Sequence, residues 1–208
     1  MAPGGREAPD VSHSRLVLLT GPVGVGKTTV AERVAGLALR QGLACGGLLA
    51  PVMKNACGQK AGIWGVDVAT GERRLLARTD RDLGGPTIGP YSFDARALEW
   101  ATAVVAGAID TCDLLLVDEI GKLELWEGLG LAPILPYLAA GEAGRALVLV
   151  RESLLDELQG RLAGIETSVF QVQEGNRDEL PAQVMARLLV VPANDNRQSP
   201  VLSSVEDT

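Results

Sequence analysis

The sequence predicts an α/β fold built on a mostly parallel sheet with an inserted β-hairpin, and three observations carry that expectation. Apolar runs of strand length alternate with stretches of three- and four-residue apolar spacing, the pattern of a parallel sheet covered by helices. One segment, "KAGIWGVDVATGERRLLAR", breaks the alternation as two short strands around "ATGE", a hairpin inserted into the α/β order. A glycine-rich break, "GPVGVG", joins the first strand-like run directly to the first helical one.

The strand-like runs are "RLVLLT", "GGLLAPV", "DLLLVDEI", "RALVLVRE" and "TSVFQV". Between them the spacing predicts helices over about 27–41, 93–109, 128–140, 152–162 and 177–190, with Ser92 and Asn176 as N-caps of the second and fifth.

At 208 residues with 47% hydrophobic composition, the chain buries one sizeable core, and no second domain is needed. The domain is expected over 15–191. The Pro/Gly-rich residues 1–14 and the polar residues 192–208 read as loosely ordered tails, and His13, the only histidine, falls in the first of them.

A net charge of -7 argues against a general nucleic-acid binder, which presents a basic face to phosphates. Cys45, Cys57 and Cys112 form no C-x-x-C pair, so they read as free thiols in a reducing compartment rather than a zinc site or disulfide framework. The N-terminus lacks the apolar core of a signal peptide, and no uninterrupted apolar stretch spans a membrane. A cytoplasmic protein is expected.

Residues 21–28, "GPVGVGKT", fit G-x-x-x-x-G-K-[ST] in full, after a strand and before a helix, the context that the motif requires. The backbone of Gly21, Pro22, Val23, Gly24, Val25 and Gly26 is expected to wrap a polyphosphate, with amide groups and the helix N-terminus aimed at its charge. Lys27 reaches the outer phosphates, Thr28 offers its hydroxyl to Mg²⁺, and Thr29 bonds an inner phosphate.

A second half of the site is read from "CDLLLVDEIGKLEL", a buried strand ending in carboxylates. Asp118 is assigned to Mg²⁺ and Glu119, on the other side of the strand, to a water beside the terminal phosphate. Gly121 permits a sharp exit from the strand; Lys122 and Glu124 are left undecided between site and surface.

"GPVGVGKTT", "VDEIGKLEL" and "NRDELPAQV" occur in an order and spacing that resembles the nucleoside-triphosphatase family whose vertebrate member is called cancer-related nucleoside triphosphatase. The resemblance covers about residues 15–190. It implies a three-layer, RecA-like P-loop domain that hydrolyses ATP, GTP, CTP and UTP with Mg²⁺ and little base preference, to diphosphate and phosphate. It also implies the phosphate role for residues 21–29, the magnesium role for Asp118 and the water-activating role for Glu119.

Two departures stand out. Lys54 occupies the place where the family's arginine is expected, and a lysine lacks bidentate phosphate recognition. After "LVLV" only Arg151 precedes acidic Glu152.

Hydrolysis of a phosphoanhydride calls for a cation beyond Lys27. Arg151, at a strand end, and Arg73, Arg74, Arg78 and Arg81, the densest basic run, are the candidates for it. Trp64, Trp100 and Trp126 are read as core residues in preference to base-stacking ones. Two other readings use the same cradle: a small-molecule phosphotransferase that excludes water, and a nucleotide-dependent switch or assembly module.

Overall fold

The computed structural model describes residues 15–189. Both expected tails, His13 and the domain's expected end at 191 lie outside the described residues. The strands in chain order are β1 (Arg15–Thr20), β2 (Cys45–Leu49), β3 (Val52–Lys54), β4 (Lys60–Asp67), β5 (Arg73–Arg78), β6 (Thr87–Ile88), β7 (Tyr91–Phe93), β8 (Leu114–Ile120), β9 (Arg145–Val150) and β10 (Thr167–Gln171). The helices are α1 (Lys27–Arg40), α2 (Ala95–Ile109), α3 (Lys122–Leu125), α4 (Leu135–Ala139), α5 (Leu155–Arg161) and α6 (Leu180–Leu189).

One sheet runs β10-β1-β9-β8-β2-β4-β5-β7-β6, with β3 paired to β4. The five strands from β10 to β2 are parallel, and everything beyond β2 is antiparallel. The expected hairpin is β4–β5, and it extends the main sheet instead of standing apart from it.

Neighbouring strand residues face opposite sides, and the core divides accordingly. Leu16, Leu18, Leu115, Val117, Ala146 and Val148 pack with Val105 and Ile109 of α2 and Leu158 of α5. Val17, Leu19, Leu114, Leu116, Leu147 and Leu149 pack with Val30 and Val34 of α1 and Val184 and Met185 of α6. A sheet with a helical layer on each face is the three-layer fold expected.

The helices differ from expectation at their edges. Residues 91–93 form β7, paired to β5, so the second helix starts at Ala95 and is capped by Asp94, whose carboxylate accepts from Ala97 N at 2.9 Å. Ser92 is not the cap: its hydroxyl accepts from Leu83 N and donates to Asp82, holding the preceding loop.

The helix expected over 128–140 is broken. Gly128 and Gly130 take positive φ, and the chain continues as a 3₁₀ turn, Ala132–Ile134, and the short α4. The helix expected over 152–162 opens as a 3₁₀ turn, Glu152–Leu154, before α5. Asn176 precedes α6 by a turn and does not cap it; its side chain accepts from Gln173 N and donates to Gln171 O, fixing the loop after β10.

Candidate active site

At the end of β1 the chain turns through Gly21, where φ is 142° and an added Cβ would lie 2.7 Å from Val172 O. Only glycine fits there, because the backbone leaving β10 closes directly on the loop: Val172 N donates to Thr20 O at 2.8 Å. The loop ends at Gly26, the N-cap of α1, with φ 107° and no side-chain cap. The 14-residue helix thus starts with no side-chain cap, the kind of helix end that can receive an anion.

Lys27 folds back over this loop. Its buried Nζ donates to Gly21 O at 3.0 Å and Pro22 O at 3.3 Å, and lies 3.3 Å from Glu119 Oε1. Pro22, Val23, Gly24 and Thr29 are exposed, and Val25, Gly26 and Thr28 half-buried.

β8 lies between β9 and β2, so its buried run of Leu114–Val117 carries Asp118 and Glu119 to the same edge as the loop. Asp118 is buried, accepts from Ala50 N at 3.0 Å and from the Thr28 hydroxyl, and burial pushes its carboxyl up to about 6. The donors from Ala50 and Thr28 and the charge of Lys27 act in the opposite direction.

The Asp118–Glu119 peptide is cis, and the β8–β9 register shifts between Val117 and Ile120. Glu119 stays partly exposed and is held between two cations, Lys27 at 3.3 Å and Arg151 Nε, from the end of β9, at 2.9 Å. Lys27, Thr28, Asp118, Glu119 and Arg151, five residues singled out from sequence, therefore form one contiguous cluster.

Other expected candidates lie elsewhere. Arg73 stacks on Trp64, Arg74 on Trp100 with an ion pair to Glu72, and Arg78 pairs with Asp80. Arg81 and Lys54 are exposed. Trp100 packs on the core as expected, but Trp126 is 56% exposed, beneath Lys122 and donating to Glu157.

Glu124 is neither surface nor site. Its buried carboxylate accepts from Gly121 N at 2.8 Å and Leu131 N at 3.4 Å, clamping the chain as it leaves β8. Beside it is a cavity of about 500 Å³, lined by Trp126, Pro136 and Arg161 among others and by no residue of the phosphate loop.

Three residues at the site were not found from sequence. Ala50 contributes only its amide, which no side-chain pattern reveals. Lys60 Nζ lies 3.7 Å from where a Cβ on Gly24 would be, and Arg177 Cδ lies 3.0 Å from the same position on Gly26. Arg177 carried a signal, as part of "NRDELPAQV"; its loop is tied to α1 by Arg33, which donates to Asp178 at 2.5 Å and to Arg177 O. Among the described residues, no group of three or more His, Cys, Asp or Glu side chains is placed to hold a metal ion. The oxygen donors set for one beside the loop are the Thr28 hydroxyl and the Asp118 carboxylate.

A family model described as NTPase matches residues 16–185. The chain belongs to the NTPase family. Within it, the chain is 30% identical over 168 residues to nucleoside-triphosphatase THEP1 of Thermofilum pendens, covering 80% of this chain and 91% of that one. It is 31% identical over 175 residues to nucleoside-triphosphatase THEP1 of Methanopyrus kandleri, covering 83% and 94% respectively. The crystal structure of THEP1 from the hyperthermophile Aquifex aeolicus has the same fold, with a TM-score of 0.66 at 19% identity over 85% of this chain and 99% of that one. This NTPase has, among the described residues, no helix long and apolar enough to cross a membrane.

Proposed function

We propose that this NTPase hydrolyses the terminal phosphoanhydride of nucleoside 5'-triphosphates with Mg²⁺, accepting ATP, GTP, CTP and UTP alike, and releases diphosphate and phosphate in the cytoplasm. The observation that carries the reading is the carboxylate of Glu119, clasped between the loop lysine and Arg151 at the mouth of the phosphate loop.

Residues 21–29 bind the phosphates through backbone amides and hydroxyls, and such donors do not distinguish bases. Lys27 leaves the carbonyls of Gly21 and Pro22 for the β- and γ-phosphate oxygens. That movement frees one oxygen of Glu119 to accept a proton from the attacking water, while Arg151 holds the other oxygen and fixes the carboxylate's direction. Thr28 and Asp118, already hydrogen-bonded to each other, are hard oxygen donors of the kind Mg²⁺ takes alongside waters and phosphates. When bound, Mg²⁺ supplies positive charge to the phosphate oxygens.

The test is phosphate release from the four triphosphates with Mg²⁺ and with a chelator. Release from all four in Mg²⁺ only is expected. Glu119→Gln should keep nucleotide binding and lose at least about a hundredfold in turnover, and Lys27→Ala should abolish turnover. Nucleotide bound without phosphate release would show that water is not the acceptor and overturn the reading.

A further inference from the structure

Stabilising a phosphoryl transition state requires positive charge at the γ-phosphate beyond the loop lysine. The arginines of β5 are engaged with Trp64, Trp100, Glu72 and Asp80, and Arg151 is engaged with the proposed base. Of the two remaining cations that the fold brings onto the loop, Arg177 lies at Gly26, at the start of α1; the other is Lys60. Its ammonium stands over Gly24, an exposed glycine of the phosphate loop, 3.7 Å from the position a Cβ there would take. Among the described residues it makes no ion pair or side-chain hydrogen bond.

The backbone that carries Lys60 is held firmly. It opens β4, and its carbonyl accepts from the Thr79 hydroxyl at 3.4 Å. The turn before it is closed by Asn55, whose side chain accepts from Cys57 N and Gln59 N, and by a bond from Asn55 N to Gln59 O. Across the ribbon its register partner is Lys54. Like charges opposite each other in a sheet are destabilising, and an anion between them removes that penalty.

Building on the hydrolytic reading, we propose that Lys60 is the second phosphate-neutralising cation of this NTPase, delivered by the antiparallel extension of the sheet to the outer phosphate in the loop. In the step it serves, the water oxygen bonds to the γ-phosphorus and its proton passes to Glu119. The bond from phosphorus to the β,γ-bridging oxygen breaks, and its electron pair stays on the diphosphate. Lys60 takes up charge developing on the γ-phosphoryl and bridging oxygens. The start of β4 thereby supplies a compact lysine in the role for which an arginine is the sequence expectation.

The test compares Lys60→Ala and Lys60→Arg with wild type in two assays: steady-state turnover of ATP, and binding of ADP with and without aluminium fluoride, which mimics the transferring phosphoryl group. Lys60→Ala should lower kcat on the order of a hundredfold with KM changed little, and should lose the extra affinity that fluoride gives ADP in wild type. Lys60→Arg should recover most of both, and neither variant should melt below wild type, because the side chain is exposed and stands opposite the like charge of Lys54. The proposal is overturned by a Lys60→Ala kcat within about twofold of wild type, by an effect on KM alone, or by fluoride affinity that is unchanged in the variant or absent in wild type. If wild type binds ADP with fluoride but releases no phosphate from ATP, the hydrolytic reading falls, and the fluoride comparison still decides the place of Lys60.

Discussion

Glu124 shows how a single side chain can make this fold sensitive to pH. Burial raises its carboxyl to about 7, against the amides of Gly121 and Leu131, which favour the charged form, and with a small further push from Glu119. A carboxyl whose folded-state value lies above its unfolded value holds its proton more tightly when folded. Its contribution to stability is complete below the unfolded value near 4.5 and is lost as pH rises through about 7. A difference of that size is worth on the order of 3 kcal/mol. Between pH 4.5 and 7.5, urea unfolding should therefore show wild type losing stability relative to Glu124→Gln, which cannot titrate. Parallel profiles for the two proteins would refute this. The glutamine variant should also be less stable than wild type at pH 4.5, because its amide can accept only one of the two backbone donors.

At the scale of elements, α2 tests which local signal sets a helix's start. Asp94 caps it through Ala97 N, while Ser92 serves the loop through Leu83 and Asp82. Asp94→Ala should destabilise the protein by about 1 kcal/mol, measured by chemical denaturation, and Ser92→Ala should loosen residues 82–92 without shortening the helix, visible as faster amide exchange at Leu83 but not at Ala97. The same contrast explains what the sequence disclosed. The parallel strands β1, β2, β8 and β9 and helix α1 are legible because each is a continuous apolar run or a clean helical stripe buried against its neighbours, whereas the half-exposed edge strand β10 shows itself by its β-branched and aromatic residues. The cap was misplaced because β7 claims residues 91–93 through pairing with β5, a contact between distant segments that local spacing does not encode. The helix over 128–140 looked continuous by apolar spacing, yet Gly128 and Gly130 at positive φ end it. In the candidate site, Lys27, Thr28, Asp118 and Glu119 sit in motifs visible in the sequence, and the fold brings them together. Lys60 and Arg177 reach the loop from β4 and from the segment after β10, and only the folded sheet brings them there.

For the whole molecule, the site is a product of sheet order. The loop after β1, the ends of β8 and β9, the start of β4 and the segment after β10 meet only when the strands are assembled as they are. An unfolded chain therefore has no comparable affinity for a triphosphate, and a bound triphosphate stabilises the fold by mass action. At a ligand concentration of about 100 times Kd the gain is about 2.7 kcal/mol, which for a domain of this size corresponds to a rise in Tm of roughly 5–10 °C. Thermal melting of Glu119→Gln, chosen to keep the ligand intact, should show such a rise with each of ATP, GTP, CTP and UTP in Mg²⁺, and a smaller one with monophosphates at equal concentration, because the donors read phosphates. Lys27→Ala should lose most of the shift. A rise confined to one base would place recognition outside the phosphate loop, and a rise undiminished in Lys27→Ala would mean that the loop does not bind the nucleotide.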